Sequence, residues 1–180
     1  MSGIFGMNIK MAIYGESHGK SIGVVLDGLP PGLALDEAAI AAEMARRAPG
    51  QNALSTARKE SDTVEIQSGF FNGFTTGTPL CARIVNSDQH SKDYSILADK
   101  MRPGHADYAG HVRYQGFNDY RGGGHFSGRL TAPLVFAGAV AKQALAQYGI
   151  VVGSHILQIN DIKEERFNPM GVSDVELAEL

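Results

Sequence analysis

The chain has 180 residues, 43% of them hydrophobic, with 16 lysines and arginines against 19 aspartates and glutamates and a formal net charge of -3. That is ample material for a packed core and excludes a disordered chain, and so mild a charge gives no bulk sign of nucleic-acid binding. The distribution is uneven: residues 1–130 carry 13 basic and 13 acidic side chains, residues 131–180 carry 3 and 6. The one cysteine, Cys81, excludes an intramolecular disulfide and reads as a buried thiol in a reducing compartment. The N-terminal MSGIFGMNIK has no long apolar run behind basic residues, and no stretch reaches the ~18–20 apolar residues of a membrane span. A soluble, cytoplasmic protein is expected.

In chain order, Ile9–Tyr14 and Ser21–Leu29 read as two strands of a hairpin whose loop carries GESHG, and Leu29-Pro30-Pro31-Gly32 stops the second. A helix follows, with Asp36 as N-cap, Ile40 and Met44 as its apolar stripe and Pro49-Gly50 as its end. Residues 63–68 and 80–86 read as further strands around the turn TTGTP. From Asn86 to Gly128 the pattern is polar and glycine-punctuated and holds His90, His105, His111 and His125, which suits a functional loop region better than a spacer. Leu130–Tyr148 is a helix with Pro133 in its first turn, Gly149 as its stop and apolar residues around much of its circumference, so burial on more than one side is expected. Ile150–Ile159 reads as a strand, and Ser173 with Glu176 forms a capping box for a helix cut by the chain end, as in a portion of a longer architecture.

GESHGKSIG offers Gly19-Lys20-Ser21, yet a P-loop would need a glycine at residue 14, where Tyr14 stands. The loop is one residue too short to wrap a phosphate. Ser17 beside His18 does not read as a hydrolase Ser-His pair, since adjacent residues in a tight turn rarely direct their side chains at one another and G-x-S-x-G is absent. His18 in GESHG and His105 in PGHAD share a glycine-framed polar setting that lets a ligand approach and leaves an imidazole free to titrate. Loop-flanking arginines, Arg102 and Arg129 above all, suit carboxylates or phosphates gripped by a guanidinium fork; Arg46, Arg47, Arg58, Arg113 and Arg121 sit in similar places. Gly122-Gly123-Gly124 ahead of the buried helix reads either as a flexible turn or as a cradle where backbone and helix N-terminus hold a phosphate or ring edge. His105, His111 and His125 match no standard metal-ligand spacing, and no metal is expected.

GESHGKSIGVVLDGLPPG, RRAPGQ, ESDTVEIQSGFFNGFTTGTP, NSDQHSKDY, RPGHADYAG and DYRGGGHFSGRLTAP, in this order over residues 4–149, resemble chorismate synthase. The resemblance implies an α+β fold, a β-α-β sandwich in which antiparallel sheets pack on long central helices, with residues 1–180 forming the N-terminal portion of a single domain and about half of that fold. It implies a lyase that eliminates phosphate from 5-enolpyruvylshikimate 3-phosphate in a 1,4-anti sense to give chorismate, the final step of the shikimate pathway, with reduced FMN required. The homotetrameric family acts on a small anionic substrate, and NADPH reduces the flavin in bifunctional members. By motif, His18 matches the histidine that protonates the departing phosphate and His105 the one that protonates reduced flavin. Ser17, Arg47, Arg102, Ser127 and Arg129 fall on substrate-contacting positions, His125, Phe126 and Ser127 on a flavin-contacting segment, and Arg47 on a position also linked to NADPH. HFSGRLT stands where many members have RSSARET, and Ala53 where arginine is frequent; this reads as a subfamily variant in which His125 supplies part of the missing positive charge. The family continues beyond the point matching Leu180, and its C-terminal half supplies further flavin contacts and an aspartate that takes the substrate proton. A non-catalytic FMN- or anion-binding half is the other reading.

Overall fold

The computed structural model describes residues 3–48, 62–87, 99–164, 171–173, 175 and 176. Pro49, Gly50, Ala53, Arg58 and His90 lie outside the described residues. Two compact units are present, Met1–Val140 and Ala141–Leu180. In the first, β1 (Ile4–Phe5), β2 (Lys10–Gly15), β3 (Ser21–Asp27), β4 (Val64–Ser68) and β7 (Leu80–Val85) build one antiparallel sheet in the order β1-β2-β3-β7-β4. The short strands β5 (Phe70–Phe71) and β6 (Phe74–Thr75) form a separate hairpin.

Register explains which face of the sheet is core. Ile22 pairs with Ile84, Val24 with Ala82 and Leu26 with Leu80, and all six side chains are buried. Because strand side chains alternate, these cross-strand pairs lie on one face, where they reinforce each other. The same core takes Ile40 and Met44 from helix α1 (Glu37–Arg47) and Phe136 and Val140 from helix α3 (Thr131–Ala146). Antiparallel sheet packed against helices is therefore the architecture, as expected.

Local chemistry sets the ends. Asp36 caps α1 as foreseen, its carboxylate accepting from the N–H groups of Ala38 at 2.8 Å and Ala39 at 3.1 Å. Gly149, at φ +68°, ends the α3 segment: its N–H reaches Ala146 O and that of Ile150 reaches Leu145 O, the paired bonds of a Schellman stop. Ahead of α3, a 3₁₀ turn at Gly128–Leu130 takes the place of the first helical residue expected there. The helix is also less enclosed than its composition suggests. Ala132, Pro133, Phe136, Ala137, Ala139 and Val140 are buried, but Leu134 is 39% exposed and Gly138 is exposed with it, one helical turn on. One broad face is core, and the opposite stripe is not.

In the second unit, the strand expected over Ile150–Ile159 is reduced to β8 (Gln158–Ile159), paired with β9 (Ile162–Lys163). Branched residues favour extended backbone, but Ile150, Val151, Val152 and Ile156 have no ladder partner among the described residues and stay about half exposed or more. The capping box forms as read: Ser173 donates its N–H to Glu176 at 2.7 Å and its hydroxyl at 2.8 Å, which holds the Glu176 carboxyl below its ordinary range. Among the described residues no helix is long and apolar enough to cross a membrane.

The Pro30-Pro31-Gly32 corner is held by Thr75, a buried residue at the start of the TTGTP turn. Its hydroxyl donates to Pro30 O at 2.6 Å and accepts the Leu33 N–H at 3.0 Å. Thr75→Val keeps the shape and leaves both partners unsatisfied, so a loss of about 1–3 kcal/mol is expected. A urea midpoint that falls at unchanged m-value checks it; an unchanged midpoint removes Thr75 from this role.

Candidate active site

The site is built around the β2–β3 hairpin loop, where Gly19 N–H closes on Glu16 O at 3.0 Å. Asn86, just beyond β7, clamps this turn by donating its amide N–H groups to Glu16 O at 3.0 Å and Gly19 O at 2.9 Å. So anchored, the loop carries Ser17 and His18 into the interior, at 0% and 5% exposure. Contrary to expectation their side chains meet: Ser17 Oγ and His18 Nδ1 share a 2.9 Å hydrogen bond. Burial of both groups in one tight turn overrides the usual divergence of neighbouring side chains.

The wall facing them is the triple glycine, in a 3₁₀ segment at Arg121–Phe126 with φ of +57°, +85° and +54° at Gly122, Gly123 and Gly124. A Cβ on Gly122 would lie 2.3 Å from His18 Cε1, and one on Gly123 would lie 2.3 Å from His105 Cε1. Adjacent glycines therefore each admit one of the two histidines singled out from sequence. The turn is not the preformed phosphate cradle that the sequence allowed, because here the close approach is made by the protein's own imidazoles. Ser17 N–H donates to Gly124 O at 3.1 Å, and His125 Nδ1 donates to Gly15 O at 2.9 Å, so hairpin loop and glycine turn are tied directly.

Arg47, Arg102, Arg121 and Arg129 are each already oriented by a carboxylate. Asp62, with a side chain at 0% exposure, takes Arg47 on one oxygen and Arg129 on the other. Arg129 Nε also donates to Asn86 Oδ1 at 3.3 Å, which links the arginine pair to the histidine loop. Arg102 grips Asp107 through Nε at 2.8 Å, Nη2 at 2.9 Å and its own N–H at 3.0 Å. Those bonds hold the Asp107 carboxyl at about 2, although burial opposes them, and His105 adds to the lowering. His105 Nδ1 stands 3.0 Å from Asp107 Oδ1, an ion-pair distance reached without hydrogen-bond alignment. Arg121 holds Asp119 in the same bidentate way at 2.9 and 2.7 Å; with a smaller contribution from His18, it keeps that carboxyl below its ordinary range.

Ser127 caps the turn before α3, accepting the Arg129 N–H at 3.3 Å. Phe126 lies against Gly110 and 6.2 Å from the Tyr114 ring. With His125 it lines a cleft of about 380 Å³, whose other walls include Tyr114, Phe117 and Asp119. Ser17, His18, His105 and the four arginines thus belong to one contact network, whereas His111 lies apart against Gly116. Asp62, Asn86 and Asp107 were missed as site residues from sequence. Their available signal was position: all three lie in the motif segments carrying the resemblance, at a strand edge or two residues from His105.

The glycine wall makes a paired prediction. Gly122→Ala adds a methyl at positive φ against His18 and should destabilise by about 1–3 kcal/mol, whereas Gly128→Ala, with nothing within 4 Å, should stay within about 0.5 kcal/mol of the parent. Equal midpoints in urea unfolding for the two variants would contradict the close packing.

The family model described as chorismate synthase matches residues 9–179. The chain is 48% identical over 163 residues to the chorismate synthase of Cytophaga hutchinsonii, covering 91% of this chain and 45% of that protein. It is 51% identical over 164 residues to that of Sulfurimonas denitrificans, covering 91% and 46%, and 43% identical over 187 residues to that of Methanosarcina acetivorans, covering 98% and 51%. A chorismate synthase crystal structure superposes with a TM-score of 0.64 at 32% identity, covering 88% of this chain and 40% of that one. The chain spans about half the length of the curated relatives it matches. With the family model matching nearly its whole length, the chain belongs to the chorismate synthase family.

Proposed function

We propose that this chain is the N-terminal portion of a single-domain chorismate synthase, eliminating phosphate from 5-enolpyruvylshikimate 3-phosphate to give chorismate. The observation that carries the reading is the placement of His18 and His105 against neighbouring glycines of one turn. A 1,4-elimination breaks a C–O bond to phosphate and a C–H bond, so the departing phosphate gains from a proton donor and from fixed positive charge. His18 is that donor, oriented through Nδ1 by Ser17. Arg47 and Arg129 bring two charges against the single charge of Asp62, leaving that corner net positive for the substrate's anionic groups. Arg102 adds a third guanidinium, fixed by Asp107, and its side chain keeps 37% of its surface exposed. Preset orientation of this kind lowers the reorganisation needed when the substrate arrives.

Reduced FMN would supply electron density to the allylic system as phosphate departs. The cleft beside the glycine turn fits such a ring: Tyr114, Phe117 and Phe126 offer aromatic surface, and His125 and Asp119 offer polar edges. His125 and Phe126 would hold the ring, with Ser127 beside them, and His105 is the residue that would supply a proton to it. NADPH as the source of reducing equivalents, with Arg47 toward its anionic end, a homotetramer and a cytoplasmic location complete the reading.

An anaerobic assay with reduced FMN and 5-enolpyruvylshikimate 3-phosphate tests it. Chorismate and phosphate should appear in equal amounts, and His18→Ala should lower turnover ~10²–10⁴-fold, as expected for loss of a positioned acid. FMN binding without chorismate would instead favour a non-catalytic flavin-binding half, a reading kept open by the half-length match.

A further inference from the structure

We propose that Asp107 is a positioning residue that fixes the tautomer of His105, placing the neutral ring's proton on Nδ1 and leaving Nε2 as the nitrogen that exchanges protons with the ligand. The proposal rests on the reading of His105 as a proton donor, but its geometry stands apart from any activity. A carboxylate oxygen only accepts, so an imidazole nitrogen 3.0 Å away either bears hydrogen or sets one lone pair against another. Nδ1 is buried and has no hydrogen-bond partner among the described residues, so the Asp107 oxygen is the acceptor within its reach.

The carboxylate cannot swing away to avoid this contact. Asp107 opens helix α2 (Asp107–Arg113), its side chain is 4% exposed, and three N–H groups of Arg102 hold it. Its carboxyl, held at about 2, is ionised wherever a histidine titrates. The Cε1 edge of the ring packs on backbone, since a Cβ on Gly123 would lie 2.3 Å from Cε1, 2.8 Å from Nε2 and 3.3 Å from Nδ1. A flipped ring would set a carbon against the carboxylate and give up the contact with Nδ1. The His105 side chain nevertheless keeps 26% of its surface exposed, and with Nδ1 buried this exposure falls elsewhere on the side chain. An imidazole oriented by a carboxylate on one nitrogen and working through the other is a familiar way to set tautomer and basicity.

Long-range ¹H–¹⁵N spectra of the 180-residue chain, labelled at histidine and assigned with His105→Gln, test this at a pH where the ring is neutral. A pyrrole-type Nδ1 and a pyridine-type Nε2 are expected for His105. The reverse pattern, the usual tautomer of free histidine, would overturn the proposal in the parent chain itself. In Asp107→Asn the amide N–H can face Nδ1, so the tautomer should switch to Nε2–H and kcat should fall about 10–100-fold at unchanged KM. A variant that keeps Nδ1–H would take Asp107 out of the role. If the parent shows the expected tautomer yet forms no chorismate, the elimination reading fails while the assignment of Asp107 holds.

Discussion

The site depends on the left-handed turn at Gly122–Gly124. Two imidazoles from segments far apart in the chain are pressed against consecutive α-carbons, a distance of approach that any side chain would prevent. Positive φ at all three positions makes the same demand independently. Because the turn also receives Ser17 through Gly124 O and Gly122 O, and returns His125 to Gly15, it fixes the hairpin loop as much as the loop fixes it. The antiparallel pairing of β2 and β3 supplies the rigid base, so a short, glycine-rich loop can still hold His18 buried.

Charge around this turn is arranged by pairing. Asp62, Asp107 and Asp119 each face at least one arginine, and each arginine so held is pre-aimed instead of free to wander. The buried carboxylates Asp62 and Asp107 are tolerated because guanidinium forks satisfy their oxygens, and removing Asp62 would strand the buried charge of Arg129. Asp62 accepts two arginines and therefore leaves a surplus of positive charge where the substrate's anionic groups are proposed to lie. Asp107 does the converse for His105, giving a nearby negative charge to its buried Nδ1. One residue type thus serves two ends, according to what it faces.

Much of this was legible in the sequence where chemistry is local. Asp36, Gly149 and Ser173 act within a few residues of themselves, and each caps or stops its helix as read. The hairpin that displays GESHG followed from alternation and flanking glycines. What could not be read was long-range. Thr75 reaches Pro30, and Asn86 reaches back to Glu16, through contacts that exist only once the sheet order β1-β2-β3-β7-β4 is set. The same limit hid the meeting of the two histidines: the sequence showed matching settings for His18 and His105, but that both abut one glycine turn is a property of the tertiary fold. Ile150–Val152 show the opposite error, since strand propensity was present and a partner strand among the described residues was not. The apolar circumference of α3 misled in a similar way, because composition alone does not say which stripe a neighbour covers.

The central claim is that adjacent glycines bring His18 and His105 to one place, and proton–proton distances in solution test it most directly. Nuclear Overhauser spectra of the labelled chain should show strong cross-peaks from the Gly122 α-protons to His18 Hε1 and from the Gly123 α-protons to His105 Hε1. Strong peaks for both pairs are the predicted result; their absence in a folded sample with the β2–β3 cross-peaks intact would contradict the account.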